Sequence, residues 1–194
     1  MATNEVLVKT GTEIVFGAVA TWNPADNGTN MSSGDAITDE MGMTTIADGA
    51  AVHSIKIDLG ATRAARYTVD AAFDFTGETP TAGKTVDLYW APSPSSTQAN
   101  GNVAGNSGAD AAAVDGPTTT GITVAEFVKQ CQFIGSFPVT DDGTVQAGHV
   151  GMFSPAHRHG QMVCFNNSGD AFEADEVEVH IVMTPIVDEI QAAV

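Results

Sequence analysis

His157 and His159, with Arg158 between them, are the residues of this chain best suited by type and spacing to chemistry. On a strand, side chains two apart point to one face, so such a pair can present two imidazoles to one metal ion. His149, eight residues upstream, is a third candidate. The guanidinium of Arg158 argues against a metal, because it places a cation beside the one to be bound. A solvated or interfacial histidine pair is the expected reading.

Other constellations are weaker. Gly151, followed after five residues by the His-x-His pair, resembles the first cupin motif, but Val163 and Cys164 stand where its glutamate should fall and no second motif follows. The carboxylates Asp39, Glu40, Asp141, Asp142, Glu173, Asp175, Glu176, Glu178, Asp188 and Glu189 read as a solvated exterior, since no stretch follows the Asp-x-Asp-x-Asp-Gly spacing of a calcium loop. No Gly-x-Ser-x-Gly elbow activates a serine, and Gly83-Lys84-Thr85 reads as a hairpin turn rather than a phosphate loop. Cys131 and Cys164 each sit in an apolar alternating run, which favours buried thiols and leaves a disulfide between neighbouring strands open. No catalytic, cofactor-binding or metal-ligating residue is assigned, and a non-enzymatic role is expected.

Charge sets the next bound. The 194 residues carry 24 acids against 7 bases, a formal charge of −17. Affinity for nucleic acid comes mainly from clustered Lys and Arg releasing counterions, and here the bases are few and scattered. An anionic membrane surface is disfavoured on the same ground, and no apolar stretch approaches the roughly 20 residues of a membrane span. The start Met-Ala-Thr-Asn-Glu lacks the basic head and apolar block of a signal peptide, so synthesis and retention in the cytoplasm are expected.

The elements that must position these residues are strands. In 66–75, Tyr67, Val69, Ala71, Phe73 and Phe75 share one face while Arg66, Thr68, Asp70 and Asp74 share the other. Val86, Leu88 and Trp90 repeat the pattern, as do Val177, Val179, Ile181 and Met183; Trp90 is expected in the core. Less regular candidates cover 6–9, 13–21, 52–59, 132–139 and 160–165, giving about eight strands. Turns are expected at Asn27-Gly28, Asp48-Gly49, Thr79-Pro80, Asp142-Gly143 and Ser168-Gly169. Short helices are expected over 35–48 and over 123–130, the second opened by a capping box of Thr123 and Glu126. The expected fold is all-β: one antiparallel β-sandwich domain spanning 1–194, with jelly-roll topology as one way to connect it and a closed barrel as the competing architecture. It carries an N-terminal arm over about 1–22 and a Gly/Ala/Asn/Ser-rich loop over about 92–121, in which Val103 and Val114 are the only larger aliphatic residues. That loop is read either as an arm reaching a neighbouring subunit or as a mobile surface excursion.

Four segments carry a family resemblance. Residues 79–90 (TPTAGKTVDLYW), 133–139 (FIGSFPV), 163–169 (VCFNNSG) and 183–191 (MTPIVDEIQ) together resemble the capsid decoration, or head-stabilising, proteins of tailed bacteriophages. The resemblance implies a non-enzymatic module on the outside of an icosahedral shell, in the virion though made in the host cytoplasm. Its implied partners are the major capsid protein and sister copies in a homo-oligomer such as a trimer, with no cofactor. A tail tube or fibre component and a lectin-like carbohydrate-binding module, with Trp22 or Trp90 stacking on a sugar, are the alternatives. The His157-Arg158-His159 run and the long loop after Trp90 depart from the family pattern.

Overall fold

The structure, a computed structural model, describes residues 6–20, 22, 30–34, 36–104, 106–114, 121–174 and 178–190. Its strands are β1 (Val6–Thr10), β2 (Ile14–Gly17), β3 (Asp39–Glu40), β4 (Ala51–His53), β5 (Ile57–Asp58), β6 (Arg66–Asp74), β7 (Thr85–Ser93), β8 (Ala111–Ala112), β9 (Gln132–Pro138), β10 (Val145–Phe153), β11 (His159–Asn167) and β12 (His180–Ile190), with helix α1 (Val124–Gln130) before β9. Period-two patterning decides the longer strands. Tyr67, Val69, Ala71 and Phe73 of β6 and Val86, Leu88 and Trp90 of β7 turn inward, and all are buried.

Two sheets result, ordered β10-β6-β12-β2-β3 and β8-β4-β11-β7-β9, with β1 added to β12 and β5 to β11. Every pairing is antiparallel except β2 with β3. Leaving out the short edge pieces, the orders β2-β12-β6-β10 and β4-β11-β7-β9 are those of a jelly roll, in which the chain crosses repeatedly from one sheet to the other. The main core lies between the sheets, where Phe16, Phe73, Phe75, Trp90, Phe172, Leu88, Ile181 and Met183 are fully enclosed. Each such side chain contributes about 1.5–3 kcal/mol relative to remaining in water.

The sandwich manages its edges in two ways. On one side, the two-residue strands β3 and β8 cap β2 and β4 and leave little ladder exposed. On the other, β9 and β10 meet as a seam without a continuous ladder, so the molecule is a sandwich rather than a closed barrel. The seam depends on glycine: a Cβ at Gly135 would lie 2.2 Å from the Val150 carbonyl oxygen, and one at Gly151 would lie 2.6 Å from that of Ile134.

The capping box forms as expected, with the Thr123 hydroxyl accepting from the Glu126 amide and the Glu126 carboxylate accepting from the Thr123 amide. The other expected helix is absent. Residues 36–48 form β3 and turns, and Met41, Met43 and Ile46 insert into the core from irregular backbone. Strand β10 escapes the sequence reading because Gly148 and Gly151 interrupt it and a bulge between His149 and Gly151 breaks its alternation. The strand expected to start near Val177 begins at His180 and continues through Pro185 to Ile190. The Asn27-Gly28 turn, the first five residues of the arm and positions 175–177 lie outside the described residues.

Candidate functional site

The crossover from β10 to β11 delivers the histidine pair, and the structure organises it around a carboxylate. Arg158 Nε and Nη2 donate to the two oxygens of Asp58 at 2.5 and 2.6 Å, a bidentate fork across the β5–β11 pairing. The Gly60 amide donates to the same carboxylate at 2.8 Å, and His159 Nε2 lies 3.6 Å from it. The Arg158 hydrogen bonds, followed by that of Gly60, hold the Asp58 carboxyl well below the usual carboxylate range. With both side chains nearly half exposed, this pair contributes little net stability. His157 is exposed in the turn before β11. His149 is on the opposite sheet, where Nδ1 lies 3.0 Å from Asp70, its cross-strand partner on β6. His159 and His149 therefore meet two different carboxylates on opposite sheets while His157 stays exposed, and among the described residues no group of three or more His, Cys, Asp or Glu is placed to hold a metal.

Both cysteines are free thiols, and they occupy opposite faces of one sheet. Cys164 belongs to the core between the sheets, whereas Cys131 packs outside with Phe127 and Val128. The Cys131 thiol donates to the Phe127 carbonyl at 3.5 Å. Burial pushes its pKa up to about 12 and that of Cys164 higher still. Since the thiolate is the reactive form, a thiol-specific disulfide reagent at pH 8 is expected to label both at least about a hundredfold more slowly in the native protein than after unfolding. Prompt labelling of the native chain would contradict this placement.

Charge is divided between the two ends of the sandwich. The strand ends at Arg66, Ser93, Phe153, His159 and Ile186 lie together, and every Lys and Arg except Lys84 belongs to this half: Lys9, Lys56, Arg63, Arg66, Lys129 and Arg158. The other end gathers Asp48, Asp74, Glu78, Asp141, Asp142, Asp170, Glu173 and Glu178 from the loops joining β6 to β7, β9 to β10 and β11 to β12 and from the turn before β4. Lys84, 3.4 Å from Asp48, is the cation of that end. Several of these acids are structural: Asp170 accepts from the Thr79 amide and hydroxyl at 3.0 Å each, and those bonds lower its pKa.

Over the residues described, the long loop packs against its own domain. Its segments 94–104 and 106–114 fold back on the outer face of the β4-β11-β7 sheet, where Val103 and Val114 join Phe127 and Val128 of α1 in a second hydrophobic cluster. Lys56 fastens it, with Nζ donating to Ser93 Oγ, the Thr97 carbonyl and the Asn100 carbonyl at 3.0, 2.9 and 2.7 Å. Buried His53 accepts the role of a second clasp, its Nδ1 lying 2.8 Å from the Ala109 carbonyl. Sequence reading missed this docking because the two valines are separated from their partners by long stretches of small polar residues.

Three surface features remain. First, β12 pairs with β6 only as far as Ile186, yet pairs with β1 from Ile186 to Ile190. A two-stranded ribbon thus extends beyond β6, with Val8 65% and Val187 44% exposed. Second, Phe133 and Met152 are about half exposed on either side of the β9–β10 seam. Third, Trp90 is wholly buried and presents no platform to a sugar, while half-buried Trp22 stands edge-on to His180 with ring centroids 4.7 Å apart.

The fold and surface define the chain as a jelly-roll β-sandwich with a polarised charge distribution and a projecting ribbon. Comparison with protein-family models, curated proteins and solved structures returned no match to it.

Proposed function

We propose that this protein is a non-enzymatic virion component that decorates and stabilises the outside of a tailed-phage capsid, bound to the major capsid protein and to sister copies of itself. The observation that carries the reading is the β1–β12 ribbon. Two strands alone are marginally stable in water, and unpaired strand edges template pairing with another chain. A ribbon bearing exposed Val8 and Val187, at the end where acids and bases balance, suits attachment by strand addition. The acid-rich end then faces solvent. Modest affinity per copy suffices when many copies share one lattice and each raises the effective concentration of its neighbours. The four segments resembling decoration proteins support the same reading, and a jelly roll alone does not, because that fold serves capsids, lectins and cupins alike.

Purified particles test it. The protein is expected at a copy number stoichiometric with the shell, and the double variant Val8→Asp/Val187→Asp is expected to fold normally but to co-sediment with particles at least about tenfold less, a loss of 1.4 kcal/mol or more. A handful of copies per particle would reassign the chain to the tail, and undiminished binding by the folded variant would remove the ribbon from the attachment surface.

A further inference from the structure

We propose that His180 is an acid-released latch: its neutral imidazole holds the segment carrying Met31 against the outer face of the β2–β12 strand pair, and protonation at Nε2 lets that segment go. The argument begins with donors and acceptors. The ring of His180 is fully buried, with Nδ1 2.9 Å from the Glu178 carbonyl oxygen and Nε2 2.9 Å from the Met31 amide nitrogen. A carbonyl oxygen only accepts and a backbone amide only donates, so the proton sits on Nδ1 and the Nε2 lone pair receives the Met31 N–H. A second proton can enter only at Nε2. The imidazolium would then point an N–H at an N–H, and the Met31 contact is lost.

The latch has something to cover. Val15 and Val182 are register partners on the face of the sheet turned away from the core, yet they are 3% and 1% exposed. Residues 30–34 and 36–38 are tied beside them, by Met31 to His180 and by Thr38, whose amide donates to the Val15 carbonyl at 2.9 Å while its hydroxyl accepts from the Val15 amide at 2.8 Å. Trp22 packs its ring against the imidazole from the same side. Release therefore exposes apolar surface and frees Trp22.

Among the described residues, the charged groups on the surrounding elements have partners of their own. Asp70 of β6 is held by His149 at 3.0 Å, Glu13 before β2 accepts from the Ser33 amide at 2.8 Å, Glu40 of β3 accepts from the Val19 amide at 3.2 Å, and Asp39 lies 3.1 Å from the Thr38 hydroxyl. From its own strand approach, Glu178 contributes the carbonyl already named. Burial is the leading influence on the ring and lowers its pKa from the ordinary value of 6.5, the Glu178 bond opposing it. The open form thus takes up the proton more readily than the closed one, so the latch is at full strength above pH 6.5 and weakens as pH falls below it toward the closed-state value.

Amide exchange and nitrogen chemical shifts measured by NMR on the full chain test this. At pH 7.5 the imidazole is expected as the Nδ1–H tautomer. Below the ordinary histidine range, the Met31 amide is expected to lose protection by up to about tenfold per pH unit, after correction for intrinsic exchange, while Val69 in the core is unchanged. His180→Gln, whose amide can accept from Met31 and donate to Glu178, is expected to keep the segment closed and abolish the pH dependence. An Nε2–H tautomer in the native protein, Met31 protection indifferent to pH, or a pH response surviving in a folded H180Q variant would each overturn the proposal.

Discussion

Replacing Asn166 with alanine is expected to lower the unfolding free energy by about 3 kcal/mol, seen as a melting temperature about 6–12 °C below that of the parent chain. The side chain sits at the end of β11 with no solvent exposure, and every atom it can offer is used. Its Oδ1 accepts from the Ser168 amide at 3.0 Å, and its Nδ2 donates to the Ile46 carbonyl at 2.6 Å and the Asp170 carbonyl at 2.7 Å. Alanine removes three bonds in a region closed to water: the Ser168 amide loses its acceptor, while the Ile46 and Asp170 carbonyls each lose a donor and keep only the Phe172 amide and the Ser168 hydroxyl. The backbone of the same residue receives Gly49 and donates to Ala50, so the damage falls where three segments of chain converge. Asn166→Asp separates this account from simple loss of volume. It keeps the acceptor for Ser168 but aims a carboxylate at two carbonyl oxygens, which raises the folded-state pKa of the new acid. Its deficit is therefore expected to shrink as pH falls through that value, whereas the alanine deficit stays flat. A melting point within 2 °C of the parent for N166A would show that the turn repacks without the amide.

The second large effect is expected at Gly160. A methyl group there would lie 2.4 Å from Cε2 and Cζ2 of Trp90 and 2.7 Å from its Nε1, distances that no Cβ tolerates. Neither side can yield easily. Trp90 is wholly buried and packs on Phe153 at 5.8 Å between centroids, with Phe153 in turn against Tyr67 at 6.1 Å. Gly160 is clamped between Pro92 of β7 and Ile57 of β5 in the ladder. Overpacking of this kind costs about 1–3 kcal/mol, and the upper end applies where a rigid indole meets a paired strand. Gly160→Ala is accordingly expected to destabilise by about 3 kcal/mol in denaturant titrations. Combining it with Trp90→Phe, which shortens the ring at the point of collision, is expected to cost less than the sum of the single changes, with a coupling of at least about 1 kcal/mol. Additive effects would place the strain of G160A somewhere other than the indole.

How far such features can be seen in a sequence depends on the range of the interactions that make them. Strands β6, β7 and β9 are legible because alternation is local, and helix α1 because Thr123 and Glu126 complete their box within one turn. β10 is not, since its glycines are chosen for the close approach of β9, a neighbour that alternation cannot reveal. The irregular segment around Met41 and Met43 resembles a helix in composition, but a parallel bridge to β2 and insertion into the core prevail over local preference. The histidines show the same limit at the level of sites. The spacing of His157 and His159 puts both imidazoles on one strand face, but Asp58, about a hundred positions away, draws in Arg158 and His159 while His157 stays exposed. His180, unremarked in its strand, meets Met31 across 149 positions of chain.

The unequal ends of the sandwich have a dynamical consequence. With six of its seven bases in the ribbon half, where Asp58, Asp188 and Glu189 offset part of their charge, and eight acids on the opposite loops, the described part of the molecule carries an electric moment along its strands. Near a negatively charged body such a moment exerts a torque that favours turning the ribbon end toward it, against the repulsion of the net charge of −17. Salt shortens the reach of that torque to about a Debye length, near 8 Å at physiological strength, so the fraction of collisions that are correctly aimed falls as ionic strength rises.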